Sequence, residues 1–152
     1  MEVRLGTPRE IDPWMELVEL VRWNFPGLET AESLADHRAT VLRFMERQEA
    51  LFVSSGDSID GVLLFSGKRS EICFLAVRPD CRRQGIASSL MRAALSRLDR
   101  SRAVTVSTFR EEDEKGPAPR ALYQKFGFLP GELVTEFDYP NQRLILPPRE
   151  DV

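Results

Sequence analysis

Apolar residues recur along this chain at two spacings, and the switches between them mark out its elements. Val3 to Gly6 alternates weakly and predicts a short first strand. Thr7 is a candidate N-cap, with Pro8 at the first helical position and Glu10 three residues after the cap. Trp14, Leu17, Val18 and Val21 then share one face of a helix running to about Arg22, and Asn24-Phe25-Pro26-Gly27 breaks it. A second helix is predicted from about Thr30 to Gln48, carrying Leu34, Val41, Leu42 and Met45. Leu51 to Ser54 and Gly61 to Phe65 read as strands around a turn at Gly56-Asp57-Ser58.

Glu71 to Val77 is a third apolar run, stopped by Pro79. Ile86, Leu90, Ala94 and Leu98 follow at spacings of four, a helix with one buried face. Ala103 to Thr108 is a further strand, and Phe109 to Gly116 a charged loop. Pro119 opens a short helix that ends before Gly127. Glu132 to Asp138 and Arg143 to Leu146 flank a last predicted turn at Tyr139-Pro140-Asn141-Gln142. The order is strand, two helices, three strands, helix, strand, helix, two strands. That is a mixed α/β (α+β) fold, in which strand–helix–strand around Ala87 to Arg100 requires a parallel crossover.

Composition narrows the picture. The 152 residues suffice for one domain, 1–152, with a sizeable core. With 42% hydrophobic and 30% charged residues, the chain has an ordinary globular composition. A net charge of -3 argues against a general nucleic-acid binder. No apolar stretch approaches the roughly 20 residues that a membrane helix needs. The opening Met1-Glu2-Val3-Arg4 lacks the apolar core of a signal peptide, which points to a cytoplasmic location.

Cys73 and Cys81 are too isolated from each other and from histidine to suggest a metal site. Cys81, beside two arginines, is either an incidental loop thiol or one of lowered pKa. The single histidine, His37, lies in the polar run Asp36-His37-Arg38, which predicts a solvated helix face.

The densest chemistry lies in Arg82-Arg83-Gln84-Gly85-Ile86-Ala87, between the strand ending at Val77 and the helix opening at Ile86. Free N–H groups and the dipole at a helix start favour anions. Gly85 has no Cβ to hold a phosphate away from the backbone. Arg82 and Arg83 add charge and planar donors, and Arg78 is a third cation nearby. The turn lacks the Gly-Lys-Ser/Thr ending of a P-loop and the glycine spacing of a dinucleotide fingerprint.

Leu75-Ala76-Val77-Arg78-Pro79 followed by Arg82-x-x-Gly85-x-Ala87 resembles the acetyl-CoA signature of the GCN5-related N-acetyltransferase (GNAT) superfamily. Ala121-Leu122-Tyr123-Gln124-Lys125-Phe126-Gly127-Phe128 resembles its second signature, a tyrosine four residues before Gly-Phe. The resemblance implies a central mixed, mostly antiparallel sheet of about seven strands with about four flanking helices, and a splayed strand pair at the acetyl-CoA site. It also implies that Arg83 to Ala87, with the Ser88 hydroxyl, hold the cofactor's pyrophosphate, and that Leu75, Ala76 and Val77 pair through their backbone with its pantetheine arm. A backbone N–H there would polarise the thioester carbonyl.

In this family an amine attacks acetyl-CoA directly. An ammonium of pKa ~10.4 must first lose its proton, and a thiolate of pKa ~8.5 is helped by gaining one. Tyr123 matches the family's acid, and Glu71, at the start of the cofactor strand, is the candidate base. Glu111, Glu112, Asp113 and Glu114 are alternatives. Trp23 and Phe25 either line the acceptor site or plug the helix–sheet core. Gly116 stands where many relatives carry asparagine. The expected partners are acetyl-CoA and an amine of a small molecule or a protein, with a homodimer common among relatives. The reading from another class is a non-catalytic acyl-CoA-binding or regulatory domain.

Overall fold

A computed structural model describes residues 1–150. Its elements are β1 (Arg4–Leu5), α1 (Ile11–Val21), α2 (Ala31–Glu46), β2 (Ala50–Ser55), β3 (Ser58–Ser66), β4 (Glu71–Val77), α3 (Ile86–Arg97), β5 (Val104–Phe109), α4 (Pro117–Lys125), β6 (Leu129–Glu136) and β7 (Tyr139–Leu146). The strands form one sheet in the order β1-β2-β3-β4-β5-β7-β6. Every neighbouring pair is antiparallel except β4 and β5, which α3 connects.

Local chemistry sets the boundaries. The backbone N–H of Thr7 donates to Glu10 Oε1 at 2.9 Å, the reciprocal half of a capping box. A 3-10 turn from Pro8 to Glu10 leads into α1. Thr30 caps α2 by accepting from the Ser33 N–H at 3.0 Å. Helix α4 opens two residues earlier than the pattern predicts, because Pro117 takes the first helical position.

The last hairpin departs further. Its turn is Phe137-Asp138, both left-handed at φ 52° and 59°, and Tyr139-Pro140-Asn141-Gln142 lies in β7. Turn-forming residue types misplace this bend. Pro140 is tolerated because the pairing with β5 ends at Phe109 opposite Asn141, so Pro140 has a strand neighbour only in β6, at Thr135.

The sheet separates two cores. Trp14, Leu17 and Val18 of α1 and Val41, Phe44 and Met45 of α2 fill one. Ile86, Leu90, Met91 and Ala94 of α3, with Tyr123 and Phe128, fill the other. Each fully buried Leu, Val or Met contributes about 1.5–3 kcal/mol of hydrophobic stabilisation. Helix α3 lies unusually close to the sheet at Gly61, where a Cβ would sit 2.5 Å from Ile86 Cγ2. That approach sets the height of the α3 N-terminus above β4.

Candidate functional site

Strands β4 and β5 pair only at Glu71 with Thr105 and Ile72 with Val106, then separate. Beyond Ile72, β4 therefore has β3 on one edge and no strand on the other. A bulge marks the divergence. Phe65 pairs with Ile72 and Leu64 with Phe74, so Cys73 is the extra residue. The bulge also resets which way side chains point. Ile72 joins the α3–α4 core, Cys73 and Phe74 both join the α1–α2 core, and Leu75 and Val77 return to the α3–α4 side.

At the far end of β4 a pocket of about 180 Å³ is lined by Val77, Cys81, Arg82 and Arg83, and by Gly85 to Ser88. Gly85 caps α3 with φ 81° and ψ 11°, a left-handed conformation that side chains other than glycine adopt at a cost. No atom lies within 4 Å of the position its Cβ would take, so the backbone there faces open space. Arg82, Arg83 and Gln84 are exposed around it, while Ile86 is buried beneath and offers only its backbone. An open, left-handed turn at a helix N-terminus suits an anionic group such as a pyrophosphate. The free edge of β4 suits an extended amide chain.

Two cations change places in this picture. Arg78 faces inward: its guanidinium donates to the Ile59 carbonyl at 3.2 and 3.0 Å and lies 3.8 Å from buried Asp60. Lys125, which residue spacing did not single out, donates from Nζ to Ser88 Oγ at 3.3 Å and brings a cation from α4 to the pocket. Its position within the Tyr123 segment carried no hint of that reach, because α3 and α4 meet only through tertiary packing.

Tyr123 is 6% exposed and packs edge-on to Phe128, with ring centroids 5.7 Å apart. Burial pushes its phenol up to about 12, so it stays protonated at neutral pH. Glu71 lies on the opposite face of the sheet. It sits 3.6 Å from the Arg69 guanidinium and accepts from Cys73 Sγ at 3.4 Å. The two residues thus lie on opposite faces of the sheet.

Neither thiol is activated. Burial, then the Glu71 charge, raises Cys73 to about 12. Cys81 is also raised, by burial and by Asp60 and Asp80, which corrects the lowered-pKa alternative. His37 is likewise not a solvated residue. Its ring packs tilted against Phe74 with centroids 4.8 Å apart, its Nε2 is buried without a partner among the described residues, and burial pushes it down to about 4. Trp23 and Phe25 divide between the two expectations. Trp23 is 64% exposed under the Arg22 guanidinium, whereas Phe25 is half-buried with its ring 4.5 Å from Phe74.

Gly116 has a steric explanation. A Cβ there would sit 2.9 Å from the Arg110 carbonyl oxygen and 3.1 Å from that of Asp113, so the folded-back loop leaves no room for asparagine. Among the described residues no cluster of His, Cys, Asp and Glu is arranged to hold a metal, and no helix is long and apolar enough to cross a membrane.

Solved structures share this arrangement at low sequence identity. A GNAT-family acetyltransferase from Bacillus cereus matches with a TM-score of 0.75 at 19% identity, over 98% of each chain. An N-acetyltransferase from Staphylococcus aureus gives 0.75 at 17%, over 97% of this chain and 98% of the other. The PaiA N-acetyltransferase from Thermoplasma acidophilum, solved with coenzyme A, gives 0.69 at 15%, over 93% and 96%. No curated protein matches the sequence. A family model described as the acetyltransferase (GNAT) domain matches residues 46–130. Because that match runs from the end of α2 through both lips of the split and the turn between them, the chain belongs to the GNAT family, N-acetyltransferases that take their acetyl group from acetyl-CoA.

Proposed function

We propose that the chain transfers acetyl from acetyl-CoA to a primary amine of a small molecule or a protein, by direct attack in a ternary complex. The observation that carries this reading is the split between β4 and β5, with a protonated phenol on one side and a carboxylate on the other. Acetyl-CoA supplies a thioester whose C–S bond breaks as the amine nitrogen forms the new C–N bond. Backbone N–H groups of Arg83 to Ala87 hold the pyrophosphate, with Arg82, the Ser88 hydroxyl and Lys125 adding donors. The free edge of Leu75, Ala76 and Val77 takes the pantetheine amides, as an added strand would.

Glu71 accepts the proton that the ammonium must lose, directly or through one water. Tyr123 donates to the departing thiolate, and its burial keeps that proton in place until then. A backbone N–H of the Leu75 to Val77 segment polarises the thioester carbonyl.

A thiol-release assay with acetyl-CoA and an amine library tests this. Tyr123→Phe should lower kcat by about 100-fold while leaving the acetyl-CoA-induced rise in Tm intact. Unchanged turnover would remove the acid from Tyr123. Glu71→Gln should lower kcat/KM most on the acid side of the pH profile, and an unaltered profile would assign the base elsewhere.

A further inference from the structure

Helix α4 carries Tyr123, but no hydrogen bond among the described residues fixes its hydroxyl. Its ring is held by packing against Phe128, and burial is what shifts its phenol. The place of the phenol is therefore set by the place of α4. Lys125 ties one end of this helix to α3 through Ser88. Toward the other end, Arg120 makes the only side-chain hydrogen bonds from α4 to the sheet among the described residues. Its Nη1 donates to the Phe109 carbonyl at 3.0 Å and to Gln142 Oε1 at 2.8 Å.

Those two acceptors sit where the sheet divides. Phe109 ends β5, the strand that leaves β4 at the split, and Gln142 pairs with Thr108 from β7. Gln142 Nε2 in turn donates to the Gly131 carbonyl of β6 at 3.1 Å. One guanidinium thus pins α4 to β5 and β7, and through Gln142 to β6. Arg120 is also the only buried cation among the described residues, at 8% exposed, and no carboxylate among them lies within ion-pairing distance. Neutral oxygens offset less of the desolvation of a buried charge than a carboxylate would, so an apolar side chain of similar length would serve simple packing better. What the guanidinium adds is direction, because its donors are fixed in one plane. Gly116 makes room for it: a Cβ there would come 3.4 Å from Arg120 Cδ.

Tyr123 follows Arg120 by about one helical turn. We infer that Arg120 is a positioning residue, whose bonds to Phe109 and Gln142 hold α4 at the height and rotation from which Tyr123 protonates the departing thiolate. This rests on the acetyltransferase reading above and adds the group that places its acid. Leu75 to Val77 and the Gly85 turn lie outside the network, so cofactor binding does not depend on it.

Thiol release from acetyl-CoA with hydroxylamine as the amine tests it. Hydroxylamine is small and largely unprotonated at neutral pH, so the rate requires no base and the leaving thiolate still requires an acid. Arg120→Met should lower kcat by about tenfold or more and leave the acetyl-CoA-induced rise in Tm intact. Arg120→Lys, which keeps a donor for one of the two oxygens, should recover about threefold of that loss. In a Tyr123→Phe background Arg120→Met should lower kcat by less than about twofold more, because misplacing the helix does no further harm once the acid is gone. Gln142→Met removes one acceptor without altering α4. It should show the same dependence on Tyr123, and it decides the question if Arg120→Met does not fold. Unchanged kcat in Arg120→Met, or losses that multiply in the double variant, would overturn the inference while leaving Tyr123 as the acid. If Tyr123→Phe alone leaves the rate unchanged, the acid assignment fails and the role of Arg120 with it. If acetyl-CoA raises the Tm but hydroxylamine releases no thiol, the acetyltransferase reading fails and takes both with it.

Discussion

Replacing His37 with Phe removes a titrating group from beside the site while keeping an aromatic ring against Phe74. The native imidazole is held by burial at about 4, against 6.5 for the free side chain, and its Nε2 has no described partner. At pH 7 both folded and unfolded chains keep it neutral, so it exerts no pH-dependent effect. As pH falls through 6.5 the unfolded chain takes up the proton while the folded one cannot. Stability present above 6.5 is therefore lost progressively until about pH 4, where the folded imidazole also protonates. The gap corresponds to about 3 kcal/mol in full and about 2 kcal/mol by pH 5. For a chain of this size that is about 4–8 °C in Tm. Urea unfolding of the native protein and His37→Phe at pH 7, 6 and 5 would measure it. Between pH 7 and 5 the variant should lose about 2 kcal/mol less than the native chain. Curves that stay parallel within about 0.5 kcal/mol would refute burial of a neutral imidazole between α2 and β4.

Gly85→Ala should cost about 1–2 kcal/mol through its left-handed backbone. It should also shrink the acetyl-CoA-induced rise in Tm, and an undiminished rise would move the pyrophosphate elsewhere. Gly116→Asn, which restores the residue common among relatives, should destabilise by about 1–3 kcal/mol through overpacking against two carbonyls and leave cofactor binding no tighter. A stable Gly116→Asn protein would show that the loop opens more readily than its packing indicates. Cys73 should resist a thiol-reactive dye at pH 8 until the chain is denatured, since its thiolate is scarce below about 12. Rapid labelling of the native protein would contradict that burial.

The sequence alone determined the elements and the donor side of the site. Periodicity located β4 at Glu71–Val77 and began α3 at Ile86, because strand and helix spacings leave their mark in the order of apolar residues. The Gly85 turn was legible because helix start, glycine and arginines are adjacent in the chain. The acceptor side was not. His37 looked solvated because its polar neighbours face water while its own ring turns toward Phe74. Arg78 looked like a ligand for an anion until β3 supplied Ile59 and Asp60 as its partners. The hairpin turn was misplaced because Phe137-Asp138 makes a two-residue turn with both residues left-handed, a conformation that sequences usually signal with asparagine and glycine. The bulge at Cys73 and the contact of Phe137 with Gly27 arise from register and packing between distant segments. Tertiary structure decided them because those contacts join segments whose spacing in the sequence carries no sign of their meeting.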